Sequence, residues 1–229
     1  FKGCASDMGF PWPTVTIGDY LTKTELRDPN KRPRDRFTYV DVSSVDNQVF
    51  AIRGPTELSG EEAPSRARKV IRHGDVLFAT VRPTLKRIAL VDAELDDQIC
   101  STGFCVLRAH GKLAACFLYY WLLTDGVVAH VAKIEKGVSY PAIRDSDVKE
   151  MEMPLPPLDE QRQIAAVLSA VQRAIERQER LIALTAELKK ALMHKLFTEG
   201  TRGEPRKKTE IGSVPRSWDV EPLNRYAES

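Results

Sequence analysis

No two of the four cysteines, Cys4, Cys100, Cys105 and Cys116, stand at Cys-x-x-Cys spacing, and no His-x-x-x-His run lies near them. A zinc site would have to be gathered from scattered ligands, so reduced, packing cysteines in a cytoplasmic protein are expected and no metal is assigned. The four histidines, His73, His110, His130 and His194, are equally dispersed and read as surface or packing residues. Patterns that cradle phosphate (G-x-x-x-x-G-K-[ST]) or dinucleotide (G-x-G-x-x-G) are missing, as are those that hold zinc on a helix (H-E-x-x-H) or present a nucleophilic serine (G-x-S-x-G). The Pro-Pro of Leu155 to Leu158 lacks the flanking Asp or Asn and aromatic residue with which an amino-methyltransferase grips an exocyclic amine. Glu187-Leu188-Lys189 matches a nuclease Glu-x-Lys only in spelling, since it falls mid-helix, away from any strand-borne Asp. No catalytic residue is assigned. Long apolar runs are also absent: Leu113 to Val128 is broken by Thr124, Asp125 and Gly126, too short to span a bilayer, and Phe1 opens no signal peptide. A soluble chain is expected, with numbering that begins inside a longer one.

What is present is enough for one core plus an appendage: 229 residues, 42% hydrophobic and 29% charged, with a formal net charge of +2. That composition excludes wholesale disorder and a disulfide mini-protein. The charge is uneven, with basic runs at Arg27 to Arg36, Arg66 to His73 and Arg82 to Arg87 and acidic ones at Asp92 to Asp97 and Asp145 to Glu160. The basic runs carry or adjoin Pro or Gly and read as loops on a scaffold. Between residues 37 and 108 the segments FTYVDV, VFAI, DVLFATV, RIALV and GFCVLR read as strands. Leu113 to Leu123 reads as a buried helix, and Val127 to Ile134 as a second helical piece. An α+β domain with a mainly β core over residues 1–153 follows, and its exit is marked by the prolines of Met153 to Leu158, which favour extended chain.

From Asp159 to Phe197 there is neither Pro nor Gly, and apolar residues recur at steps of three and four: Ile164, Leu168, Val171, Ile175, Ile182, Leu188, Leu192 and Leu196. The pattern predicts one long helix with a coiled-coil seam, N-capped by Asp159 and stopped by Gly200. About 39 residues reach roughly 58 Å, longer than the domain before them, so the seam needs a partner. Gln178 and Thr185 interrupt it, either to set register or as polar positions of an imperfect seam. Thr201 to Lys208 reads as a linker. Aligning Trp218 on Trp12 puts Leu223 on Ile17 and Tyr226 on Tyr20, with Pro215 and Pro11 before each Trp, so the tail reads as the start of a second copy of the domain.

With chemistry lacking, a binding surface remains. Arg32, Arg34, Arg36, Arg68, Lys69, Arg82, Lys86 and Arg87, interleaved with Thr80, Thr84, Ser101 and Thr102, offer charge to phosphates and short hydroxyls to base edges. Lys136, Ser139, Tyr140 and Arg144 add a Gly-Val-Ser-Tyr loop flanked by cations, with Tyr140 able to stack. About half of the basic residues are expected to approach DNA and the rest to be solvated surface.

The run PLPPLDEQRQIAAVL (Pro154 to Leu168), the helix ending ALMHKLFTEG (Ala191 to Gly200), and the pieces GDVLFATVRPTLKRIALV, CSTGFCVLRA and GVSYPAI together resemble the specificity subunit of type I restriction-modification systems. The resemblance covers nearly the whole chain. It implies a target-recognition domain that reads one half of a split site in double-stranded DNA, and a helix that pairs antiparallel with a second one. It also implies docked methylation subunits, which bind S-adenosylmethionine and methylate adenine, and a motor-nuclease restriction subunit that can join them. The specificity subunit itself would be non-catalytic. A full member has two domains and two helices, whereas this chain has one of each, so it is either a fragment or a half-subunit that acts as a homodimer. A self-contained methyltransferase or nuclease, and a coiled-coil adaptor with no DNA role, are the competing readings.

Overall fold

The computed structural model describes residues 12–137, 141–222 and 225, and the chain divides into two compact units, residues 1–170 and 171–229. In the first unit the chain runs β1 (Thr14–Thr16), β2 (Leu21–Thr22), β3 (Arg36–Val40), β4 (Val45–Asp46), β5 (Ala51–Ile52), β6 (Thr56–Ser59) and β7 (Ala67–Ile71). It continues through β8 (Val76–Ala79), β9 (Ile88–Leu90), β10 (Gln98–Ser101), β11 (Phe104–Ala109), α1 (Ala115–Leu122), α2 (Asp125–Ile134), α3 (Asp145–Lys149) and β12 (Glu152–Pro154). The long helix α4 (Leu158–Glu199) carries the chain into the second unit, which ends in the hairpin β13 (Arg206–Thr209) and β14 (Gly212–Pro215). The α+β class with one long helix is as expected.

Two four-stranded sheets, β6-β3-β10-β7 and β2-β11-β8-β9, form the domain. The continuous apolar runs of β8 and β11 have a physical reason, since strands buried on both faces need no polar alternation. Val76, Phe78, Cys105 and Leu107 face α1 and α2 in one cluster, while Leu77, Ala79, Phe104 and Val106 pack against Val40, Ile71 and Cys100 of the other sheet. The order is therefore sheet, sheet, helices. The outer sheet's far face carries only a thin cluster of Tyr39, Ala67 and Ile99 with Phe37 and Leu58. Its β3 and β10 run parallel, pairing Tyr39 with Ile99, while the other pairs are antiparallel.

The first turns of α4 belong to the globular unit. Gln161 is fully buried, accepting the Ala114 N–H at 2.9 Å and donating to the carbonyls of Lys112 and Pro156 at 2.8 Å each. Trp12 donates its indole N–H to Glu160 at 3.1 Å, and the Tyr120 hydroxyl meets Ser169 at 3.1 Å. Ile164 packs against the same core, so it is a domain contact and not a free seam position. The helix begins at Leu158, which places Asp159 in the first turn instead of at the cap. It ends at Gly200 as expected, at φ 66, donating its N–H to Leu196 O at 3.0 Å.

Two further expectations change, and a third falls outside the described residues. Residues 66–73 are not a basic loop, because β7 fills most of the segment. Residues 201–208 are not simply a linker, because Arg206 to Lys208 pair with Ser213 to Pro215. Pro11, Leu223 and Tyr226, on which the repeat alignment partly rests, lie outside the described residues, as does Cys4. Among the described residues no single helix is long and apolar enough to cross a membrane, and α1 and α2, bent by 66° at their junction, are built into the core.

Candidate nucleic-acid interface

Backbone bonds draw four segments of the first unit together. Thr80 N–H donates to Gly103 O at 2.8 Å, Ile143 N–H to Thr80 O at 3.0 Å, Arg82 N–H to Pro141 O at 2.7 Å, and Thr102 N–H to Arg66 O at 2.9 Å. Lys136 and Ala142 exchange both of their backbone bonds. The segments before β7, after β8 and after β10, with residues 136–137 and 141–144, are therefore one patch, on which Arg66, Arg82, Thr102, Lys136 and Arg144 are all exposed. Arg144 holds Asp147 at 2.9 Å, and this contact keeps the Asp147 carboxyl below its ordinary range.

Two structural demands set this junction. A Cβ on Gly103 would sit 2.8 Å from Val42 Cγ2, so any larger residue there would force Val42 to shift. Arg82 and Lys86 flank the turn Pro83–Leu85 in the left-handed region, at φ 48 and 53. A non-glycine residue there costs on the order of 1 kcal/mol or more, strain that tends to collect at functional loops.

Several residues expected at a DNA surface have internal work instead. Thr80 is buried and donates to Gly103 O at 3.0 Å, and Ser101, also buried, accepts the Gly103 N–H at 3.2 Å. Lys69 turns inward to Phe104 O and Asp145, both at 2.6 Å. Arg87 donates to the carbonyls of Val42, Ser43 and Val45 and so pins the loop before β4. Lys86 is half-buried against Asp125 at 2.9 Å, and its contact lowers that carboxyl from its ordinary range. Arg68 is half-buried beside Asp28 at 3.3 Å. Thr84 is half-buried, and Ser139 and Tyr140 lie outside the described residues.

The remaining cations form a second group at the other end of the outer sheet. Arg32, Arg34 and Arg36 are exposed there, with Arg32 and Arg36 lining a cleft of about 360 Å³ beside Phe37 and Ile99. Arg32 pairs loosely with Asp35 at 3.7 Å, and Arg36 with Glu57 at 3.1 Å. A larger cleft, about 630 Å³, is lined by Tyr39, Asp41, Arg53, Thr56, Glu62 and Arg66 among others. Arg53 and Arg66 were absent from the expected site. The signal for Arg53 was its Arg-Gly-Pro turn after a short strand, and Arg66 opened a run credited to its neighbours. Among the described residues no cluster of His, Cys, Asp and Glu is placed to hold a metal.

This fold and its loop patch have relatives. A profile of the type I restriction modification DNA specificity domain matches residues 11–186. The chain belongs to that family. The crystal structure of the HsdS subunit from Thermoanaerobacter tengcongensis is 46% identical, with a TM-score of 0.68 over 82% of this chain and 49% of that one. A chain from a structure of complex assembly and conformational transition in a type I R-M system is 42% identical, with a TM-score of 0.67 over 92% of this chain and 52% of that one. The HindI specificity subunit of Haemophilus influenzae is 24% identical over 193 residues, 82% of this chain and 41% of that protein. The chain thus spans about half the length of the specificity subunits it matches, and the match takes in every loop of the patch.

Proposed function

We propose that the chain is a DNA sequence-recognition element of a type I restriction-modification enzyme, reading one half of a bipartite site and scaffolding methylation subunits. The observation that carries this reading is the family match over residues 11–186, which embraces the domain and about the first two thirds of α4. The exposed cations on Arg82, Lys136 and Arg144 support it, since loops on a rigid scaffold position a duplex through its phosphates. So do the exposed seam residues of α4, which fit a helix that pairs with a second copy of the chain or with a second repeat. The chain contributes no catalytic group. S-adenosylmethionine is carried by the methylation subunits, a restriction subunit joins the assembly, and all act in the cytoplasm.

Binding-site selection on the chain reconstituted with its methylation subunits tests this. A split motif is expected. Enrichment of no sequence would overturn the reading, and S-adenosylmethionine binding by the isolated chain would point to a self-contained methyltransferase. Failure to bind any duplex at any salt concentration, even with methylation subunits present, would leave a coiled-coil adaptor.

A further inference from the structure

Two arginines and two carboxylates line the 630 Å³ cleft, yet they do not pair with each other. Asp41 is held by the Tyr39 hydroxyl at 3.2 Å and the Ser43 hydroxyl at 2.9 Å. Burial disfavours its ionisation, but those bonds and the N–H groups of Val42 and Ser43 outweigh it and keep the carboxyl below its ordinary range. Glu62 is held by the N–H and hydroxyl of Ser59 at 2.9 and 2.7 Å. Neutral donors thus occupy both acids. Arg27, Arg36, Arg68 and Arg108 each hold a carboxylate, whereas Arg53 and Arg66 are exposed and form no ion pair among the described residues.

The backbones beneath both arginines are fixed. Arg53 donates its N–H to Ser44 O at 2.6 Å, and Arg66 O takes the Thr102 N–H at 2.9 Å. Two rigid forks of N–H donors are therefore presented from anchored positions. The chemistry they fit is a pair of adjacent acceptors, which DNA offers as phosphate oxygens or as the O6 and N7 of guanine. Charge decides between these. With two cations and two anions the cleft has no formal net charge, which forfeits most of the gain of a phosphate site, where neutralising cations release counterions. An uncharged base edge needs only directed donors. Adenine presents a donor at N6 that would oppose a guanidinium, so guanine is the base that fits.

We infer that Arg53 and Arg66 are specificity-determining residues, each directing its guanidinium to the O6 and N7 of a guanine in the major groove; this rests on the domain's reading of DNA. Binding-site selection on the full chain with methylation subunits, comparing the unaltered protein with Arg53→Lys, Arg66→Lys and Arg66→Ala, decides it. Lysine keeps the charge and loses the fork. Each variant should lose its guanine preference at one position by about 5- to 150-fold, keep the rest of the motif, and leave the salt slope unchanged. A duplex with 7-deazaguanine at that position, which removes the N7 acceptor, should weaken binding by the unaltered protein and not by the matching variant. Should a variant fail to fold, the 7-deazaguanine duplex with the unaltered protein decides alone, and equal binding to both duplexes overturns the inference. An unchanged motif in folded variants also overturns it. So does a slope reduced by about 0.9 per residue with the motif intact, which would make these phosphate contacts. If the unaltered protein selects no motif, the reading of DNA itself fails and this inference falls with it.

Discussion

Asp75 is 1% exposed, and Arg108 meets its carboxylate with two hydrogen bonds of 2.8 Å while the Arg72 N–H supplies a third at 2.8 Å. The hydrogen bond to Asp75 raises the Arg108 pKa above its ordinary value. Removing one partner of such a pair strands the other, so Asp75→Ala should destabilise the domain by about 3 kcal/mol, seen as a lower urea midpoint at unchanged slope. A loss under about 1 kcal/mol would mean that water screens the pair. The thiols behave differently. Burial pushes up both the Cys100 and the Cys105 thiol, the latter to about 12, whereas Cys116 is exposed. In the native chain at pH 8, iodoacetamide followed by peptide mapping should modify Cys116 and spare Cys100 and Cys105 until the chain is unfolded. The packing role expected of the cysteines holds for Cys100 and Cys105 but not for Cys116, which is exposed because it stands on the outward side of α1. The inward turn of Lys69 was not legible in the sequence, because residue type shows charge and not strand face. The pairing of Lys69 with Cys100, at a bulge in β10, turns its side chain inward.

Among the elements, α4 was legible almost to its ends, since a stretch free of Pro and Gly with apolar steps of three and four admits little else. The strands β8, β9 and β11 were also found, because their apolar runs are what burial on two faces requires. The hairpin of β13 and β14 was missed. Its first strand, RKKT, has no apolar alternation and is made by pairing across the turn at Gly212. The Gln161 bracket was missed too, since a glutamine in a charged helix start looks solvated until its three partners are seen. Gln161→Leu would leave one N–H and two carbonyls unmet. A destabilisation of about 2 to 3 kcal/mol is expected from urea unfolding, and a loss below about 0.5 kcal/mol would show that water replaces the side chain. Some cations nominated from the sequence, such as Arg82, Lys136 and Arg144, are exposed, whereas Lys69, Thr80 and Ser101 are turned inward. Arg82→Ala and Lys136→Ala should each reduce the log-log salt slope of DNA binding by roughly 0.9, and an unchanged slope would place that residue off the duplex.

At the scale of the molecule, α4 is 42 residues long, about 63 Å, and its seam is uncovered. Leu168, Val171, Ile175, Ile182, Leu188, Leu192 and Leu196 are 40% to 68% exposed, as are Leu181 at 57% and Met193 at 49%. An apolar stripe of that length is best buried by another helix, and a two-fold pair buries two at once, so light scattering at tens of micromolar should report twice the chain mass. A strict monomer would count against pairing through this face. If recognition domains stand at opposite ends of such a pair, helix length fixes the distance between the half-sites, and spacing becomes separable from readout. Four residues inserted after Leu188 add about 6 Å of rise and about 40° of rotation. At roughly 3.4 Å per base pair the preferred spacer should lengthen by about one or two base pairs while each half-site keeps its sequence. The matching control lengthens Thr201 to Pro205, which precedes β13 and lies outside both helix and hairpin, and it should change neither quantity. Site selection on the two variants separates the possibilities. An unchanged spacer in the helix variant would leave α4 as a docking surface alone, and altered half-site bases would mean that the helix and the recognition loops are mechanically coupled.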